Sequence, residues 1–196
     1  MEEHVTEGIV VGTEDSGEAD KLVRLLTPDL GVITARMRGV KKEKAKLKFA
    51  AMPFSFCQYV LMRRGQFYTV KTASQEESLF AVTYAPDRYI VGTVMLEVSS
   101  VMAGSDSAEV FIDLLTCLKA LIYSSVSPRS IGLNFVYRAL VRGGYVAPTS
   151  READFNVPVE EQSSLEDARA GRLLKAYLSL AKKKLGVTFR SATLLA

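Results

Sequence analysis

The strongest chemical signal in this sequence is a short cationic run. Arg36, Arg38, Lys41, Lys42, Lys44, Lys46 and Lys48 follow one another with Glu43 as the only anion among them. Clustered Lys and Arg bind polyphosphates by displacing condensed counterions, without reading base sequence. The 196-residue chain carries a net charge of only +3, so the basicity is local and the remainder is net acidic. Arg63 and Arg64 form a second pair that could extend the cluster. If about six phosphates are neutralised, the log-log salt slope for binding a single strand should be roughly −4. Tyr59, Phe67 and Tyr68 follow closely and could stack bases. The same aromatics also suit a hydrophobic core, and a lysine-rich loop taken alone is equally an ordinary solvated surface.

Other chemistry is poorly supplied. His4 is the only histidine, and Cys57 and Cys117 stand far apart among apolar neighbours, outside any C-x-x-C pair. Two buried free thiols are expected, and a zinc site is not. Glu14, Asp15, Glu18 and Asp20 could be imagined as a metal cluster, but an acidic turn is more often solvated. No P-loop, nucleophile elbow or histidine-paired nucleophile is present, so an enzyme is not expected. Carboxylate-only nuclease chemistry and a pure adaptor role are the alternatives. Lys182, Lys183 and Lys184 fit a favourable interaction with a helix C-terminus better than a second anion site. Phe135, Tyr137, Arg138 and Arg142 share a predicted helix, and could form a partner groove in which an arginine receives a carboxylate beside an apolar pocket. Packing with two solvated arginines is the competing reading. No apolar run approaches the ~20 residues that span a bilayer, and the acidic N-terminus is unlike a secretory signal, so a cytoplasmic location is expected.

The elements that must position these side chains change character along the chain. The first part reads as five strands, near residues 5–12, 21–26, 33–38, 54–62 and 67–73, with Gly17, Pro28 and Gly65 at the breaks. In the first strand Val5, Ile9 and Val11 share one face. In the third, Ile33, Ala35 and Met37 alternate with Thr34, Arg36 and Arg38, giving one packed face and one cationic face. Five short strands with a long loop after the third suggest a small closed Greek-key barrel of the OB type; an open sheet of another topology also satisfies the pattern. Beyond Ser78 the period shifts to 3.6. Helices are predicted from Pro86 to Met102, from a cap at Ser107 through Ile122, from the Ser127-Pro128 start to Gly143-Gly144, and from a Ser163/Glu166 capping box to Gly186. Residues 146–163 read as a connecting, mobile loop. The fold class is therefore α+β, a barrel over 1–78 and an all-α domain over 79–196.

Several segments together resemble one known family. They are Gly8-Ile9-Val10-Val11, Gly17-Glu18-Ala19-Asp20-Lys21, Gly31-Val32-Ile33, Arg38-Gly39-Val40-Lys41-Lys42 with Leu47 and Met52-Pro53-Phe54, Arg142-Gly143-Gly144-Tyr145, and Leu185-Gly186 with Arg190-Ser191. In order and spacing they look like RecO, a family of recombination mediators. The resemblance implies an N-terminal OB-fold domain, binding of single- and double-stranded DNA, annealing of complementary strands, and partnership with RecR in loading RecA onto DNA coated by single-strand-binding protein. Two departures stand out. Many relatives carry a four-cysteine zinc module where residues 146–164 hold no cysteine, so zinc is not expected. Some place paired arginines where this chain has Leu133 and Asn134, so the site for the acidic tail of single-strand-binding protein does not carry over residue for residue.

Overall fold

The computed structural model describes residues 2–104, 106–163 and 165–195. It divides into two compact units: residues up to Phe80 together with Ala103–Ile112, and Ala81–Met102 together with Asp113–Ala196. In the first, β1 (Glu2–Ser16), β2 (Asp20–Thr27), β3 (Gly31–Met37), β4 (Ser55–Arg64) and β5 (Phe67–Ser78) close into a barrel of order β1-β2-β3-β5-β4. Strands β3 and β5 pair in parallel, while β4 returns antiparallel to β1. This is the Greek-key closure of an OB fold, with β3 and β5 meeting over a short stretch at Ala35–Tyr68 and Arg36–Thr69.

The barrel core is built by alternation. Val23 and Leu25 of β2, Ile33, Ala35 and Met37 of β3, Cys57, Tyr59 and Leu61 of β4, and Val70 of β5 all point inward. In β3 the expected alternation holds, with Thr34 and Arg36 exposed between buried neighbours. In β1 the face shared by Val5, Ile9 and Val11 is buried only at Ile9 and Val11. Val5 is 52% exposed, and Val10, from the opposite face, enters the barrel core. Ile9 and Val11 are buried without joining that core; Phe56, opposite Ile9, packs edge-to-face on Phe111. A bulge between Val10 and Gly12 shifts the register further.

The segment after β3 is an ordered plug and not a free loop. Val40, Leu47, Ala50 and Ala51 turn inward against the barrel core, and the buried Tyr59 hydroxyl donates to the Ala50 carbonyl at 2.8 Å. Because the apolar residues face in, Lys42, Lys44, Lys46 and Lys48 are left on the outside.

The helices are α1 (Pro86–Met102), α2 (Ser107–Tyr123), α3 (Pro128–Arg142) and α4 (Asp167–Leu185). Ser127 caps α3 by accepting from the Ser130 N–H, with Pro128 at the first position, as the sequence predicts. Gly186 ends α4 in the left-handed region at φ 68°. Two expected caps are corrected. Ser107 is already helical, and its hydroxyl donates to the Pro28 carbonyl. The helix predicted to start at Ser163 begins at Asp167, with Glu166 at the cap and no side-chain cap bond.

Residues 146–163, expected to be mobile, are packed. They hold two short 3-10 turns, Ser150–Phe155 and Val159–Glu161. The Phe155 ring is buried edge-to-face against Tyr137 and Tyr177. The Asn134 amide donates to the Phe155 and Val157 carbonyls at 3.1 and 2.7 Å, and Gln162 donates to the Ser130 carbonyl at 2.9 Å.

Candidate nucleic-acid interface

The outer face of β3 floors an open groove of about 1180 Å³ on the barrel. Arg36 lines it from β3, Arg38 from the turn just after β3, Arg64 from the end of β4, Gly65 and Gln66 from the β4–β5 turn, and Phe67 from the start of β5. The groove follows from strand registers. Arg24 of β2 lies opposite Thr34, and Leu22 opposite Arg36. Ala35 pairs with Tyr68 in parallel, which sets Thr34 beside Phe67, and Phe67 pairs with Arg64. Outward-pointing residues of four strands thus form cross-strand rows, two of whose members are cations from β2 and β4.

The predicted cationic residues separate into two sets. Arg36, Arg38 and Arg64 line the groove, while Arg63 lies back along β4 with its guanidinium 5.9 Å from the centre of the Tyr68 ring. The lysines ride on the plug. Lys41 donates to Asp15 at 2.7 Å and to the Gly17 carbonyl at 3.4 Å, which places it beside the groove-lining Ser16. Lys48 donates to the Glu43 carbonyl, and Lys42, Lys44 and Lys46 are exposed. Arg24 was missed by the sequence reading because it stands alone among apolar residues. Its guanidinium lies within 3 Å of where a Cβ on Gly12 would sit, so glycine there makes room for the arginine.

The acidic turn between β1 and β2, read from sequence as merely solvated, balances part of this charge. Asp20 accepts from the Gly39 N–H at 2.7 Å and from Arg36 at 2.8 Å, and these bonds, with the nearby Arg38 charge, hold its carboxyl below the usual carboxylate range. Asp15 is lowered likewise by its hydrogen bond from Lys41. An aspartate whose pKa is lower folded than unfolded stabilises the fold above its unfolded value, and that contribution disappears as pH falls through the folded value. The unfolding temperature should therefore drop as pH falls below about 4. An Asp20→Asn variant should melt lower at neutral pH and show a shallower acid limb in a calorimetric pH series.

Of the aromatics considered for stacking, Tyr59 is excluded, since it is fully buried with its hydroxyl engaged. Tyr68 packs partly against the barrel core, and Phe67 is 70% exposed. The expected partner groove on α3 is not open. Phe135 and Tyr137 are 2% and 0% exposed, and Arg138 and Arg142 both pair with Asp113 of α2, at 3.2 and 2.7 Å. Packing of the second unit consumes all four side chains.

Among the described residues no three His, Cys, Asp or Glu side chains gather as a metal site. Both cysteines are buried singly, and burial pushes the Cys57 thiol up to about 11 and raises Cys117 as well, so neither is a ready thiolate. The residues present thus do not fit the four-thiolate zinc module of the resemblance. No described helix is long and apolar enough to cross a membrane.

A five-stranded Greek-key barrel of this strand order is an OB fold, a class whose members bind oligonucleotides or oligosaccharides. The comparisons narrow that class. Residues 1–79 match the model of the recombination protein O N-terminal family. The chain is 32% identical over 160 residues to the DNA repair protein RecO of Thermobifida fusca, covering 78% of this chain and 64% of that one. It is 30% identical over 155 residues to the protein of the same name from Streptomyces coelicolor, and 29% over 148 residues to that of a Nocardioides species. Residues 1–79 thus form a RecO N-terminal domain, and the chain as a whole is similar to RecO proteins. The matched part spans 59% to 64% of these relatives' length.

Proposed function

We propose that this chain is a DNA repair and recombination mediator that binds DNA along the barrel groove without cutting it. The observation that carries the reading is the set of Arg36, Arg38 and Arg64 around one open groove, with Lys41 and Lys42 continuing beyond Arg38. Arginines at these positions suit phosphate oxygens, and among the described residues no carboxylate lines the groove. Arg24 joins this set as a contact at the β2 edge. Both single and double strands present the phosphates that such a track needs.

Annealing follows from the same charge. Two polyanionic strands repel each other, and a surface that displaces their counterions lowers that barrier with no covalent step. Exposed Lys42, Lys44 and Lys46 on the plug could receive the second strand. Similarity to RecO proteins further supports RecR as a partner, loading of RecA onto DNA coated by single-strand-binding protein, and action in the cytoplasm. The role needs no zinc or other cofactor.

Anisotropy of a labelled single strand titrated across a salt series, with the products run on a denaturing gel, tests the reading. Binding with a log-log slope of roughly −2 to −4 and intact strands is expected. Degraded strands would make the chain a nuclease. Absence of binding at low salt would leave a protein adaptor, for which pull-down with RecR is the parallel readout.

A further inference from the structure

The groove holds an exposed aromatic side chain that phosphate binding does not use. Phe67 is 70% exposed at the first position of β5, on the outward side of the barrel. Single exposed apolar residues are common and need no explanation by themselves. The surroundings of this one are particular. The registers place it between Thr34 and Arg64 in one cross-strand row, with Arg36 in the next row and Gln66 preceding it on the turn. Its neighbour Tyr68 is half inside the barrel and faces Arg63, so Phe67 is the aromatic ring the groove leaves open.

We infer that Phe67 is a stacking platform for an unpaired nucleobase, so that the groove discriminates a single strand from a duplex. The inference rests on the groove's being the nucleic-acid site and specifies how a strand lies in it. Arg36 and Arg38 at one end and Arg64 at the other hold backbone phosphates, and a base between them turns onto the ring. A base in a duplex has both faces covered by its neighbours and cannot do so without unstacking. Stacking of this kind tolerates any base, since each has a π face. Gln66, with a donor and an acceptor, is placed to touch the base edge.

The test uses the full chain with Phe67→Ala and Phe67→Trp. The sequence has no tryptophan, so Phe67→Trp installs a single fluorophore at the proposed platform. The probes are a thymidine oligomer, an abasic oligomer of equal length, and a duplex. Phe67→Ala should weaken the thymidine oligomer about ten- to a hundredfold while leaving abasic and duplex binding within about twofold. Tryptophan emission in Phe67→Trp should be quenched by the thymidine oligomer and not by the abasic one. Equal losses on all three probes, no loss on any, or equal quenching by both oligomers would overturn the stacking role and leave the groove reading standing. Failure of the unaltered chain to bind any of the probes would overturn both. Because Phe67 is exposed at a strand end, both variants should melt with the parent, which separates these outcomes from misfolding.

Discussion

A chain carrying Arg36→Gln, Arg38→Glu and Arg64→Glu is expected to lose affinity for single-stranded DNA by at least about a hundredfold at low salt, with a salt slope shallower by about 2. All three side chains line one groove, so their removal deletes adjacent contacts on one strand. Glutamine is the choice at position 36 because Asp20 accepts from Arg36 at 2.8 Å, and a second carboxylate there would disturb the β2–β3 pairing as well as the ligand. The comparison variant is Lys42→Glu, Lys44→Glu and Lys46→Glu. It carries at least as great a charge change on residues that lie outside the groove. It should cost several-fold in affinity and more in the rate of annealing complementary strands. The two triples together decide where the strand runs. If the lysine triple proves the more damaging to single-strand affinity, the track crosses the plug and the groove is secondary.

That distinction could not be drawn from sequence, where the seven cations form one run. The strand with alternating faces was legible because β3 has opposite characters on its two sides, Ile33, Ala35 and Met37 against Thr34 and Arg36. In β1 the same logic does not identify the inner face. Ile9, Val10 and Val11 are consecutive and all buried, Val10 into the barrel and its neighbours outside the barrel core, so no alternation remains to read. The plug hides for a related reason: Val40, Leu47, Ala50 and Ala51 follow neither a strand nor a helix period, yet each finds the barrel core. Long-range charge pairing was equally invisible. Asp15 meets Lys41 and Asp113 meets Arg138 and Arg142 across 25 or more residues, and only folding shows which cations are already neutralised. Family-level spacing did carry the barrel and the helix ends, because turns and caps depend on local residue types such as Gly17, Gly31 and Gly186.

Phe155 offers the largest stability effect. The segment between α3 and α4 contains no cysteine and is held by packing and hydrogen bonds. Phe155 is 1% exposed, with its ring centre 5.0 Å from that of Tyr137 and 6.3 Å from that of Tyr177. Removing a buried phenyl group costs about 3–5 kcal/mol through lost transfer energy and the cavity left behind. That is a large share of the roughly 5–15 kcal/mol that holds a typical domain folded. Phe155→Ala should therefore lower the urea midpoint of the helical signal by that equivalent. Asn134→Ala should cost about 1–3 kcal/mol, since it leaves the Phe155 and Val157 carbonyls without their buried donor. The two changes act on the same stretch of backbone, so their costs should fall short of adding. A loss under about 1 kcal/mol for Phe155→Ala would mean that the ring does not fill the core, because no well-packed aromatic is deleted so cheaply. Additive costs would instead mean that Asn134 and Phe155 anchor the segment independently, without forming one pinned unit.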